Sequence, residues 1–133
     1  MEIKLFRKEV ILIGCLVFLF SGLAFAEGQG VVRMQGMVDK VYLDKKIIII
    51  NEEFIFVWDA NTIFSNEKGS PITIDKFKRN NWVYIEGVSY KKGKPALVRN
   101  KKDKPALIKK MYLLPKEIRI EERHLYPFMM ELE

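Results

Sequence analysis

The sequence predicts an all-β domain whose strands curl into a small barrel, and three stretches carry that expectation. Residues 46–58 read K-I-I-I-I-N-E-E-F-I-F-V-W. Two runs of β-branched and aromatic residues around a polar Asn51-Glu52-Glu53 break are the pattern of a β-hairpin. Residues 82–90 alternate, with Val83, Ile85 and Gly87 on one face and Trp82, Tyr84, Val88 and Tyr90 on the other. Residues 31–43 form a long strand pattern with Gly36 inside it and Val38 and Val41 three positions apart. Strict alternation cannot put both valines on one face, so a bulge at Asp39-Lys40 is expected to return them to the core. Bent first strands of this kind suit small closed barrels.

The N-terminus is set apart from the fold. Residues 1–9 carry Lys4, Arg7 and Lys8, residues 10–20 are continuously apolar or small, and Ala24-Phe25-Ala26 is a small-x-small pattern. This predicts a secretory signal helix over residues 1–26, cleaved between Ala26 and Glu27, and export, most simply to a periplasm. The apolar run is shorter than the ~20 residues that span a bilayer, and Ser21 and Gly22 interrupt it. Leu12-Ile13-Gly14-Cys15 also has the form of a lipobox. Cutting there would leave apolar residues 16–20 directly behind the lipidated cysteine, which makes a lipoprotein or membrane-anchored form the weaker expectation. Residues 27–133 then form one domain. Cys15 is the only cysteine and leaves with the signal, so thiol catalysis and cysteine-bound metal are excluded from that domain.

Both faces of the 46–58 hairpin are apolar, which predicts a central position with the second face covered; the apolar tail around Leu125-Tyr126-Pro127-Phe128-Met129-Met130 is the expected cover. Asp59-Ala60-Asn61-Thr62 reads as a side-chain-stabilised turn. It does not read as a calcium loop, because Phe64 occupies the position that such a loop reserves for glycine. A loop around Lys68-Gly69 and one helical turn at 74–78 follow, and Gly87 in the next strand suggests close approach of another backbone. Residues 111–114 should close the sheet before Pro115, and Ile118 and Ile120, alternating with charge, suggest a short edge strand.

Between them lies a tandem decapeptide. Residues 91–100 and 101–110 share Lys-Lys-x-Lys-Pro-Ala-Leu and continue with Val98 or Ile108 and Arg99 or Lys109. Two copies are too few for a solenoid, so the reading is a local duplication that lengthens one hairpin, with turns near Gly93 and Asp103. The ribbon holds nine Lys or Arg against Asp103 alone, a net +8, whereas residues 27–133 as a whole carry +5. The rest of the domain is therefore net acidic.

Gly36-Met37-Val38-Asp39-Lys40-Val41, Thr62 after the hairpin, Trp82-Val83-Tyr84-Ile85-Glu86-Gly87 and Lys109-Lys110-Met111-Tyr112-Leu113-Leu114-Pro115 together resemble the exported, single-domain OB-like small barrels of unknown function found in bacteria. The resemblance implies an antiparallel OB-like barrel of five or six strands. It carries over no catalytic residue, and the duplicated decapeptide departs from it.

The residues offer little chemistry for an enzyme. His124, the only histidine, sits among Glu121, Glu122 and Arg123, and Ser65, Ser70 and Ser89 have no nucleophile motif around them. Met34, Met37, Met129 and Met130 read as core filling rather than as a copper site. No cofactor is expected. Two classes of function remain. In the first, the aromatic face of Trp82, Tyr84 and Tyr90, with Lys91, Lys92, Lys94, Lys101, Lys102 and Lys104 of the ribbon, binds an acidic glycan, a lipid head group or an acidic protein. Nucleic acid is the less favoured partner for an exported protein. In the second, the apolar hairpin and tail are buried between subunits of a homo-oligomer.

Overall fold

The computed structural model describes residues 30–90 and 93–129; the expected signal helix, its Ala24, Ala26 and Glu27 cleavage site, and Met130 lie outside them. Seven strands form one sheet: β1 (Gly30–Tyr42), β2 (Ile47–Ile50), β3 (Phe54–Val57), β4 (Ile63–Asn66), β5 (Trp82–Ser89), β6 (Ala96–Leu97) and β7 (Ala106–Leu114). Their order is β4-β7-β5-β1-β2-β3-β6, with a further pairing of β3 with β7. The only helical elements described are short 3-10 turns at Ile74–Lys76, Ile120–Leu125 and Pro127–Met129.

The first strand explains how the sheet curls. Residues 30–37 pair with β5, from Gly30↔Ser89 to Met37↔Trp82, and residues 38–42 pair on the other side with β2. The register slips between Val38 and Lys40, which is the bulge that the valine spacing required. Val38 is 1% exposed and Val41 packs against the same core. A bulge also appears in β7: Glu86 pairs with Lys110 and Gly87 with Ile108, so Lys109 is the extra residue. It lets Ile108 and Met111, three apart, both become fully buried.

Two corrections concern the sheet. The expected all-antiparallel arrangement is mixed, because β7 runs parallel to both β3 (Phe56↔Ala106, Val57↔Leu107) and β4 (Ile63↔Lys110 to Asn66↔Leu113). The strand count is seven rather than five or six, since β4 and β6 are short strands appended to the others. The circuit β1-β2-β3-β7-β5 closes on itself, but through just two residue pairs between β3 and β7. The result is an irregular, strongly curled sheet. Gly87 belongs to this closure: a Cβ there would lie 2.4 Å from the Leu107 carbonyl oxygen, so only glycine admits the opposing backbone.

A third correction concerns the repeat. The second decapeptide is not a hairpin extension: after a turn at its start, its second half is the first half of the closing strand, with Ala106 and Ile108 fully buried. The reason is the edge of β3, which accepts both copies. Phe54 and Ile55 pair with Leu97 and Ala96 of the first copy, antiparallel, and Phe56 and Val57 pair with Ala106 and Leu107 of the second, parallel. The first copy forms the short edge strand β6.

Two clusters are buried. The inner one combines Val32, Val38, Ile48, Ile50, Phe56, Trp58, Phe77, Val83, Ile85, Ala106, Ile108 and Met111. The outer one gathers Tyr84, Leu114, Ile118 and Met129 under the C-terminal segment, with Tyr112 and Phe128 packed against it. The tail therefore covers the outer face of β5 and β7 and not the second face of the β2–β3 hairpin, where Ile47, Ile55 and Val57 stay partly exposed. The attraction is aromatic: Tyr84 and Tyr112 are cross-strand partners, and the Phe128 ring stacks on Tyr112 with centroids 3.9 Å apart. Gln35 of β1 fixes the approach, its amide accepting from Ile118 N–H at 2.6 Å and donating to Ile118 C=O at 3.0 Å. Ile118 is thus held by a side chain rather than by an edge strand, and Ile120, expected beside it, starts a 3-10 turn at 76% exposure.

Candidate functional site

The ribbon is positioned from its two ends. Ser89, the last residue of β5 and 2% exposed, accepts a hydrogen bond from Gly93 N–H at 3.1 Å, which sets the path of the chain toward Lys94. On the other side Asn100 organises the turn between the copies. Its side-chain oxygen accepts from Lys102 N–H at 3.2 Å, and its carbonyl accepts from Asp103 N–H at 3.1 Å. Beyond the turn Lys104 and Pro105 lead into β7.

These constraints open a cleft of about 170 Å³ lined by Tyr90, Lys94, Ala96, Lys102, Asp103 and Lys104. Lys94 and Lys104 hold equivalent places in the two decapeptides. They come to one cleft because the Ala-Leu pairs behind them dock side by side on β3. Lys104 Nζ stands 5.2 Å from the centroid of the Tyr90 ring, which is half exposed. At an exposed site such a contact contributes about 0.5–1 kcal/mol. Three ammonium groups around one carboxylate and one phenol leave the cleft net cationic.

Of the residues predicted from sequence, Tyr90, Lys94, Lys102 and Lys104 are brought together here. Lys101 is exposed on the adjacent turn but does not line the cleft. Lys91 and Lys92 lie outside the described residues. The predicted aromatic face does not exist as one surface. Tyr84 is 1% exposed, with Phe128 at 5.6 Å between ring centroids, and Trp82 stands at the far end of β5 from Tyr90. At ~3.3 Å per residue that separates Trp82 from Tyr90 by roughly 26 Å. Alternation along a strand reports a shared face but not what covers it. The sequence marks Asp103 only as a turn residue, and its place in the cleft follows from the pairing of both copies with β3.

Elsewhere His124 is exposed in the tail, and among the described residues no group of three or more His, Cys, Asp or Glu is placed to hold a metal ion. No protein-family model, curated protein or solved structure matches this chain.

Proposed function

We propose that this chain is an exported, non-enzymatic binding module that engages an acidic partner through the lysine cleft. The observation that supports this most is the convergence of the equivalent Lys94 and Lys104 beside an exposed Tyr90, in a domain whose remainder is net acidic. Charge concentrated on one ribbon steers polyanions toward one place and raises their encounter rate. The partners that fit are an acidic glycan, an anionic lipid head group or an acidic protein segment. The closed circuit of pairings and the bulged first strand support an OB-like barrel as the scaffold, with the cleft in the connection between its last two strands.

The test is retention of the purified protein on anionic vesicles and on polyanion resin. Retention should fall with added salt, as screening shortens to ~8 Å near physiological ionic strength. It should also fall sharply in Lys94→Ala/Lys104→Ala, with thermal unfolding unchanged. Equal, salt-insensitive retention of both proteins rejects the cleft as the binding site. Intact mass of the same preparation reports processing, with Glu27 as the expected first residue.

The assembly reading rests on the partly exposed Ile47, Ile55 and Val57 of the hairpin. Its other element fails, because Met129 is already 0% exposed within one chain and Phe128 is stacked on Tyr112. Light scattering distinguishes the two: a monomer leaves the binding module as the better account.

A further inference from the structure

A second cleft, of about 300 Å³, lies at the other end of β5. We propose that it binds a neutral sugar ring, as one unit of an oligosaccharide, with Trp82 as the wall against which the ring packs.

The cleft is built from three segments that are locked together. Asn51 N–H donates to Met37 C=O at 2.9 Å, and Met37 N–H donates to the Asn51 side-chain oxygen at 2.8 Å, which ties the β2–β3 turn to β1. Asn80 N–H donates to Val38 C=O and Val38 N–H to Asn81 C=O, both at 2.8 Å, which ties the loop before β5 to the same bulge. A rim held in this way is organised before any ligand arrives.

Its polar groups are mixed in kind. Asp39 and Glu52 offer carboxylates, and Arg79 and the Asn80 amide offer donors, around the half-buried Trp82 and Met37. The Asp39 side chain is only 16% exposed and forms an ion pair with the largely exposed Arg79, whose Nε stands 3.9 Å from it, too far for a hydrogen bond, so both groups keep hydrogen-bonding capacity. An anionic ligand would face two carboxylates against one guanidinium. A cation would leave the guanidinium and amide donors without hydrogen-bond acceptors, and an apolar ligand would bury these groups without hydrogen bonds. A hydroxyl both donates and accepts, so a ring carrying several hydroxyls satisfies both kinds of group. Its C–H face suits the indole, and the volume is at the lower end of the ~300–1,000 Å³ of small-molecule sites.

Among the described residues, three of the four non-glycine positions with positive φ lie at this rim; the fourth, Lys46, precedes β2. Asn51, Glu52 and Asn80, all at this rim, have φ of 55°, 63° and 74°, in the left-handed region. Asparagine tolerates that region, and glycine is the usual second residue of a hairpin turn with two positive φ values. Glu52 holds that place instead, at a cost to the turn that a carboxylate at the cleft explains.

The experiment titrates the purified protein with maltohexaose, cellohexaose, fully N-acetylated chitohexaose and mannohexaose, following tryptophan fluorescence and heat. At least one should bind and perturb the tryptophan signal. Glu52→Gly should melt at a higher temperature yet bind at least about tenfold more weakly, and Trp82→Phe and Asp39→Asn should weaken binding by a similar factor. Lys94→Ala/Lys104→Ala should leave it unchanged, which keeps this site independent of the lysine cleft. The proposal is overturned if none of the four sugars binds at millimolar concentration. It is equally overturned if Glu52→Gly and Trp82→Phe bind as well as the parent protein.

Discussion

Deleting the first decapeptide, residues 91–100, separates the role of the repeat in charge from its role in folding. The deletion removes Lys91, Lys92, Lys94 and Arg99 and no acidic residue, taking residues 27–133 from +5 to +1. In structural terms it removes β6: the Ala96 methyl, 4% exposed, the partly buried Leu97, and the bond from Val98 N–H to Glu53 C=O at 2.8 Å. At about 0.8 kcal/mol per buried CH₂ and about 1 kcal/mol per hydrogen bond, these contacts supply about 3–4 kcal/mol. Ordering three residues costs about 1–2 kcal/mol each, so the net change should lie within about 3 kcal/mol of zero. The remaining Lys104-Pro105-Ala106-Leu107-Ile108 still begins the closing strand. Thermal unfolding followed by circular dichroism should stay cooperative, with Tm moved by less than about 15 °C. Retention on anionic vesicles should drop sharply in the same preparation. Loss of a cooperative transition would refute the assignment of the first copy as an appended strand.

Two further perturbations test the scaffold. Gly87→Ala places a methyl 2.4 Å from the Leu107 carbonyl oxygen, a backbone atom that cannot swing aside; denaturant unfolding should report a loss of about 1–3 kcal/mol or more, and an unchanged midpoint would contradict the close strand approach. The tail should respond to acid through Glu122, whose carboxylate is held below its ordinary value of 4.5 first by the Lys116 ammonium at 2.6 Å and then by Arg119 N–H. A depressed carboxylate contributes above its unfolded value and is lost as pH falls through the lower folded one, so the loosening belongs below pH 4.5. Near-ultraviolet circular dichroism of the stacked Tyr112 and Phe128 should weaken in that window and not in Glu122→Gln.

What the sequence made legible were the features written in local periodicity. The hairpin, the bulge after Val38, the Asp59–Thr62 turn and the close approach at Gly87 are each encoded within a few residues. At the turn, Asp59 C=O accepts from Thr62 N–H at 3.2 Å and its carboxylate accepts from Asn61 N–H at 2.9 Å. What was not legible depended on distant partners. The parallel pairing of β7 with β3 and β4 joins segments about fifty residues apart, and nothing near Ala106 announces it. The tail is expected over the second face of the hairpin, and its place on β5 and β7 instead involves Gln35, 83 residues from Ile118. The lysine cleft was half legible: the charge was visible in the repeat, whereas the convergence of Lys94 with Lys104 required knowing that one strand edge receives both copies. The second cleft left a weaker trace, a Glu52 where a tight turn favours glycine.

The duplication also poses a problem of register during folding. Two near-identical segments compete to begin the same strand, and the wrong one is entropically easier to place. Pairing Val88 with Leu97 instead of Leu107 would close a loop of 8 residues rather than 18, an advantage of about 0.7 kcal/mol. Inside the repeat little opposes the slip, since Val98 in place of Ile108 gives up one buried carbon, about 0.8 kcal/mol. The decision falls beyond it. A chain slipped by ten residues would bring Lys101 to the site of Met111, which is completely buried, and Lys102 to that of Tyr112, on which Phe128 stacks. Burying an unpaired lysine costs several kcal/mol, far more than the shorter loop returns. The chain can carry a duplicated beginning of this strand because the end of the strand occurs only once.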